Sequence, residues 1–462
     1  MSKTKELTVG KPYKLILAFA IPMVIGNLFQ QLYNMVDTII VGKYVGVNAL
    51  AGVGSTGAIS FLVVGFALGV CTGFSIPVAH EFGAGNYKKM RKYIAHSIYL
   101  CTATTIILTL ITVIGAAPVL KIMNTPEEIF SDAYNYIIVI FAGLGATIFY
   151  NMLSGILRAI GDSKSPLIFL VISSFLNIAL DLIFIITFDM GVFGAGLATV
   201  ISQLVSALLC LVYMIKNYDI LKFERDELKF DSRYAAGLSS NGYPMALQFS
   251  ITAVGSIILQ SAVNTLGTQS VAAITAASKI QTVAIGPMES LGITMATYCG
   301  QNKGAGKYER IRQGINQSLV IEMIYCVAVC IAVSVFGGII TTLFIDTQNT
   351  SAAEISRITE LSAHYLKING VFYPLLGLLF ILRNSIQGMG YSMLPMLAGV
   401  AELIARSFVA IGFVATVGYD AACFSSPAAW IFADIILIIT YAAKMRKMKK
   451  TMIISKPIQI IS

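Results

Sequence analysis

Charge is what this sequence is short of. Of its 462 residues only 12% are Asp, Glu, Lys or Arg, against roughly 25% in soluble globular domains. A surface facing water all round needs more, so much of this chain must face lipid. Histidine and tryptophan are scarcer still, at three and one. His80, His96 and His364 are scattered, and no HExxH, GxSxG or P-loop pattern accompanies them. The chain therefore offers no catalytic set, and no segment suited to a nucleotide-binding domain that would drive transport with ATP.

The seven cysteines contain no CxxC pair, and the one close pair, Cys326 and Cys330, lies inside an apolar run. They read as small packing residues rather than as a disulfide framework or zinc site. Gly52-Val53-Gly54-Ser55-Thr56-Gly57 matches a dinucleotide fingerprint in letters only, because no βαβ context surrounds it. The net charge of +9 does not point to nucleic acid either. Lys and Arg sit in short clusters between apolar runs, without the interleaved aromatics that stack on bases.

What the chain has in quantity is apolar length, with 56% hydrophobic residues. A hydrocarbon core of about 30 Å is crossed by about 20 apolar helical residues. By that rule twelve spans begin near residues 15, 52, 94, 133, 166, 194, 239, 271, 315, 361, 394 and 425. The basic N-terminus (Lys3, Lys5, Lys11, Lys14) and Ala18-Phe19-Ala20 resemble a signal peptide and its cleavage site, but the apolar run continues to about Gly42, which fits a retained first span. Basic clusters then orient the spans: Lys88, Lys89, Arg91 and Lys92, then Lys303, Lys307, Arg310 and Arg312, then the tail from Lys444 to Lys456, all fall on one side. The opposite connections hold few, among them Lys43, Lys121, Arg357 and Lys367. The positive-inside rule makes the first side, with both termini, cytoplasmic.

The longest polar connection, with Lys222, Glu224, Arg225, Asp226, Glu227, Lys229 and Asp231, divides the chain into two halves of six spans. The expected organisation is an N-terminal lobe over 1–216, a linker over 217–234, a C-terminal lobe over 235–449 and a tail over 450–462. The halves resemble each other at nearly constant offset. Ile21-Pro22-Met23 recurs as Tyr243-Pro244-Met245, Gly83-Ala84-Gly85-Asn86-Tyr87 as Gly304-Ala305-Gly306-Lys307-Tyr308, and Gly161-Asp162-Ser163 as Gly390-Tyr391-Ser392. Six spans repeated in the same orientation imply parallel repeats about an axis along the membrane normal, an architecture of transporters.

Ionisable residues within spans are expensive and are functional candidates by default. Glu402 and Arg406 stand four apart on one helix and are read as neutralising each other. Asp434 and Glu322 are read as lying near helix ends or among polar neighbours. Lys279 and Glu289 share the eighth span on different faces and are possible cavity residues. Asp37 and Asp181 differ, since neither has a basic residue within helical reach along its own span. Gln30, Tyr33, Asn34 and Asp37 fall on one helical face, and Asn177 stands one turn before Asp181. Such a carboxyl exchanges a proton or, beside amide and hydroxyl oxygens, coordinates Na⁺. Gly65, Gly69 and Gly73 form a GxxxGxxxG stripe expected to let helices pack closely. Pro22, Pro77, Pro244, Pro287 and Pro374 interrupt spans and are candidate hinges; Pro22 shares its helix with Asp37.

With Asp37, the two GAG-x-Tyr loops and Arg158-Ala159-Ile160-Gly161-Asp162-Ser163, the sequence resembles the multidrug and toxic compound extrusion (MATE) family from Lys11 to about Lys450, and within it the DinF-like branch. The resemblance implies an all-α membrane protein of two six-helix bundles around a V-shaped cleft. It also implies export of amphipathic, often cationic, compounds in exchange for H⁺ or Na⁺. That branch's ion site falls here on Asp37, Asn177, Asp181 and Thr199. Gln30, Tyr33, Asn34, Asn151, Gln260, Lys279 and Glu289 are the cleft candidates, and Gln260 stands where the NorM-like branch carries a carboxylate. No cofactor beyond the coupling ion is expected. The expected setting is a monomer in the cytoplasmic membrane of a bacterium or archaeon, in contact with lipid. A flippase for a lipid-linked precursor is the alternative within the superfamily.

Overall fold

The computed structural model describes residues 6–345 and 351–455, with side chains to Met448. Lys3, Lys5, Lys456 and the rest of the expected tail from residue 456 lie outside the described residues. Every long element is a helix: α1 (Pro12–Tyr44), α2 (Val47–Ser55), α3 (Gly57–Gly83), α4 (Tyr87–Ile122), α5 (Glu127–Ala142), α6 (Leu144–Ala159), α7 (Lys164–Leu182) and α8 (Gly191–Asn217), then α9 (Ser232–Asn264), α10 (Thr268–Gly304), α11 (Tyr308–Thr341), α12 (Ala352–Gly388), α13 (Met393–Val417) and α14 (Tyr419–Ser455). Among the described residues ten helices are long and apolar enough to cross a membrane, and α5 with α6, bent by 46° at their junction, makes an eleventh span. The twelfth is α10. Its 37 residues are ample, but Lys279, Glu289 and several Thr and Gln residues make it too polar to qualify on composition.

Two compact units are formed, one of residues up to Val9 and Leu17–Val254, the other of Gly10–Ile16 and the chain from Gly255. In the first, α3 packs on α4 and α6, α8 packs on α5, α6 and α7, and α2 packs on α5. In the second, α12 packs against α10, α11 and α14, and α13 packs along α14. Apolar side chains also cover much of the outside. Val320, Ile324, Val327, Ile331 and Val335 form an exposed stripe along α11, and Ile107, Leu110, Ile111 and Ile114 do the same on α4. In water stripes of that length would be a liability. Against lipid tails they are the matching surface.

The repeated loops fold alike. Gly85 has φ of 69° and Gly306 of 68°, and the amides of Asn86 and Lys307 close the same turn on the carbonyls of Glu81 (2.9 Å) and Asn302 (2.8 Å). This left-handed helix ending is the conformation in which glycine avoids the Cβ penalty. Gly161 and Gly390 repeat it at φ of 91° and 80°. The two loops then differ in their next residue. Asp162 accepts from the Lys164 and Ser165 amides at the start of α7 and from the Tyr218 hydroxyl at 2.7 Å. Tyr391, its counterpart, has the ammonium groups of Lys303 and Lys444 against its ring, at 5.0 and 4.1 Å from the centroid.

Helix breaks distinguish the first unit. α2 and α3 part at Thr56, where Ser55 and Thr56 hydroxyls donate back to the carbonyls of Gly52 and Val53, both at 2.7 Å. The glycines of the supposed fingerprint thus serve a helix junction, and a Cβ on Gly52 would stand 2.9 Å from the Asp132 Cβ of α5. The α5–α6 bend falls at Gly143, where a Cβ would stand 2.2 Å from Val200 of α8. α7 ends in a π-helical turn, Ile183–Thr187. Each bend has a local cause of the kind that bends helices. The α3 stripe packs as its spacing predicts: a Cβ on Gly69 or Gly73 would stand 2.5 or 2.4 Å from the Cα of Ala246 or Gly242 in α9.

The polar connection between the halves is docked, not loose. It contains two 3₁₀ turns, Asp219–Leu221 and Arg225–Leu228. Arg91 of α4 grips the Glu227 carboxylate with two 2.7 Å hydrogen bonds. The Tyr99 hydroxyl donates to the Leu228 carbonyl, and the Asp231 amide to His96 Nε2. Burial works against the charge on Glu227, but the Arg91 guanidinium outweighs it and holds that carboxyl below the ordinary glutamate range. The guanidinium and amide of Arg233 hold Asp231 down at about 2.

Candidate functional site

The site grows from two neighbouring helices of the first unit. Along α7, Ser173, Asn177 and Asp181 follow each other at four-residue spacing, so they share a face. Along α8, Thr199 with Gln203 and Ser202 with Ser206 do the same. The two stripes meet, with the Ser206 hydroxyl donating to Ser173 Oγ at 2.6 Å. Beside that contact a small pocket of about 10 Å³, room for about one water or small ion, is lined by Tyr33, Leu170, Ser173, Ser174, Asn177, Thr199, Ser202 and Gln203.

Asp181 is fully buried and Asn177 is 2% exposed. Among the described residues, neither oxygen of Asp181, neither polar atom of the Asn177 amide, nor Asp37 Oδ1, Ser202 Oγ or Gln203 Oε1 has a hydrogen-bond partner. Asp37 and Asp181 interact directly, side chain to side chain, although they lie on α1 and α7. Two bare carboxylates side by side in a low-dielectric interior repel strongly. A proton between them or a small cation beside them removes the repulsion and gives the orphaned oxygens a partner. The surrounding atoms are carboxylate, amide and hydroxyl oxygens, the ligand set of a hard cation. Asp37, Asn177 and Asp181 are thus brought together, with Thr199 on the adjoining cavity wall; its hydroxyl donates to the Ala195 carbonyl at 3.2 Å and keeps its lone pairs free.

Of the cleft candidates, Tyr33 lines this cavity and its ring hydroxyl lies beside Gln30 and Gln203. Gln30 and Asn34 are exposed. Asn151, on α6, donates to the Thr147 carbonyl of its own helix at 2.8 Å. Gln260, Lys279 and Glu289 belong to the second unit; Gln260 pairs with Asn264 at 2.9 Å, and Lys279 is exposed. α1 runs unbroken through Pro22.

Ser173, Ser174, Ser202 and Gln203 were not legible as single residues, but the three- and four-residue spacings that join them to Asn177 and Thr199 were there to find. Tyr136 of α5, electrostatically coupled to Asp37, Tyr33 and Asp181, carries no such signal. Two further expectations are sharpened. Asp434 and Glu322 stand in mid-helix, not near helix ends, and are buried, at 3% and 1% exposure; Asp434 has Arg383 and Glu402 as charged neighbours, yet among the described residues neither of its oxygens, nor Glu322 Oε1, has a hydrogen-bond partner. Glu402 and Arg406 do meet, at 3.1 Å, but Arg383 of α12 is also on Glu402, at 2.8 Å. Arg383 was missed because a basic residue near the end of a span reads as a flanking charge.

Known proteins resemble this chain over most of its length. YoeA of Bacillus subtilis, named a probable multidrug resistance protein, is 28% identical over 339 residues, 72% of this chain and 73% of its own. The multidrug export protein MepA of Staphylococcus aureus is 24% identical over 84% of this chain and 85% of its own. A crystal structure of MATE in the bent conformation superposes with a TM-score of 0.87 at 25% identity, covering 96% of this chain and 97% of its own. An outward-facing multidrug resistance MATE transporter of the MOP superfamily reaches 0.90 at 24% identity, covering 97% and 100%. The MatE family model matches residues 22–183 and 244–411, one stretch in each half of the repeat. The chain belongs to the MatE family of membrane transporters.

Proposed function

We propose that this protein is a secondary active multidrug exporter that releases amphipathic, often cationic, compounds in exchange for H⁺ or Na⁺ bound at Asp37, Asn177, Asp181 and Thr199. The observation that carries this reading is the mutually facing pair of half-buried Asp37 and fully buried Asp181, with orphaned oxygens and no basic partner among the described residues. Export of drugs is supported by the names of the relatives, and these favour it over transfer of a lipid-linked precursor. Coupling is supported by the need of the carboxylate pair for a positive charge. With a cation bound, the repulsion between α1 and α7 disappears and the two helices approach. Pro22, which lacks an amide to hydrogen-bond Ala18, gives α1 a place to bend as they do so. The drug-binding space of the first lobe then narrows and drug leaves; loss of the cation to the cytoplasm restores the repulsion and reopens it.

Gradients of ordinary size suffice, since about 100 mV supplies ~2.3 kcal/mol per charge and one pH unit ~1.4 kcal/mol. The positive-inside pattern supports cytoplasmic termini and a bacterial or archaeal cytoplasmic membrane. We take the single chain to be the working unit. The test is efflux from proteoliposomes with a pH gradient or a Na⁺ gradient imposed separately. Efflux driven by neither, or driven equally well in Asp37→Asn, refutes the reading.

A further inference from the structure

Within the second unit, four ionisable side chains from three membrane helices converge. Arg383 of α12 donates from Nη2 to Glu402 Oε2 at 2.8 Å, and Arg406, one turn along α13, from Nη2 to Oε1 at 3.1 Å. Asp434 of α14 interacts electrostatically with Arg383 and Glu402. It is 3% exposed, and neither of its oxygens has a hydrogen-bond partner. Nε of Arg383 and Nε of Arg406 are buried without acceptors too. Donors and an acceptor therefore stand near one another unused.

An ionised Asp434 would draw one of those donors to itself, because a buried charge without a partner is among the most destabilising features a fold can carry. Both guanidinium groups turned to Glu402, with Asp434 left alone, is the arrangement a neutral carboxylic acid favours. We propose that Asp434 is a proton-binding site of the second unit, in which Arg383 is shared between Glu402 and Asp434 according to whether Asp434 holds its proton.

The ligand is a proton by elimination among small ions. Two guanidinium groups repel Na⁺, and the Glu402 carboxylate, already bonded to both of them, repels an anion. The groups facing Asp434 are Arg383 from α12 and Glu402 from α13, with Arg406 beyond Glu402 and Tyr365 of α12 beside Arg406. On α14 itself, the residues three and four away are Trp430, Ile431, Leu437 and Ile438, all apolar. When Asp434 gives up its proton the four charges cancel, and Arg383 bridges α14 to α13. When it is protonated the array carries one net positive charge, and α14 is released from that bridge. Asp434 also lies beyond the matched family segment, which ends at residue 411. The existence of this site is independent of the exporter reading; only its use in coupling rests on it.

The test is infrared difference spectroscopy of the purified full-length protein across a pH titration, in an Asp37→Asn/Asp181→Asn background that removes the first unit's pair. The expected result is a protonated-carboxyl band converted to carboxylate as pH rises, lost in Asp434→Asn and retained in Glu322→Gln. Arg383→Gln should displace the pH at which that band titrates. A melting temperature near that of the parent shows that each variant is folded. A spectrum that Asp434→Asn leaves unchanged overturns the proposal, and so does a band that titrates at the same pH with and without Arg383. If drug efflux fails to follow any gradient while the band behaves as expected, the exporter reading falls and the site stands.

Discussion

The two units place their intramembrane acids differently. In the first, the carboxylates of Asp37 and Asp181 face each other with no basic partner among the described residues; α7 ends in a π-turn, and other spans of the unit carry the α2–α3 break and the α5–α6 bend. In the second, the counterparts α10 and α12 run unbroken for 37 residues each, and Glu402 is held between two arginines. The second unit has orphaned carboxyls too, Glu322 and Asp434, each on an unbroken helix; two carboxylates facing each other without a basic residue are, among the described residues, found in the first unit, where the backbone is also irregular. A strained arrangement close in energy to an alternative suits an element that changes state.

That comparison can be broken by mutation. The largest effect is expected for Asp37→Asn or Asp181→Asn, which should reduce gradient-driven efflux from proteoliposomes to background while the melting temperature in detergent stays level or rises, since a repulsion has been removed. Glu402→Gln should do the reverse. It leaves two buried guanidinium groups facing a neutral amide, a loss of about 3–5 kcal/mol read as a lower melting temperature. If Asp37→Asn destabilises and Glu402→Gln does not, the contrast between the units is wrong.

Gly73→Leu comes next, because its side chain would enter the Gly242 backbone of α9. Overpacking of this kind costs about 1–3 kcal/mol or more, measured as reduced yield of monodisperse protein. An equivalent change at Gly85, with nothing near its Cβ position, meets only the backbone penalty of about 1 kcal/mol.

The smallest effect concerns the docked connection. Glu227 and Asp231 titrate below their ordinary ranges, so the folded state holds fewer protons than the unfolded one over that interval. The docking contribution is therefore complete above the ordinary carboxylate range near 4 and fades as pH falls through the lower folded values. Arg91→Ala should remove about 1 kcal/mol or less after solvent screening. Faster amide exchange at residues 224–231, at neutral pH and in that variant alone, would register it.

Much of this was legible in the residues because lipid is an unforgiving solvent. Apolar runs of fixed length, basic clusters on one side and glycines at fixed offsets each have few physical explanations, and they specified the helices and the matching Gly85 and Gly306 turns. Asp37 and Asp181 stood out for the same reason, as charges without local partners. Arg383 and Asp434 did not, because their partners lie on other helices. The α2–α3 break was hidden too, since Gly52–Gly57 reads equally as a motif, a turn or a helix junction.

The sequence by itself therefore determined which segments cross the membrane, that they repeat, and which carboxylates lack a neighbour along their own helix. Only the tertiary structure decided which of those carboxylates meet. Asp37 finds another acid and Glu402 finds two arginines, although all lie in similarly apolar spans. The reason is that charge pairing inside a membrane protein is set by contacts between helices, and helix periodicity constrains a face without naming what it will touch.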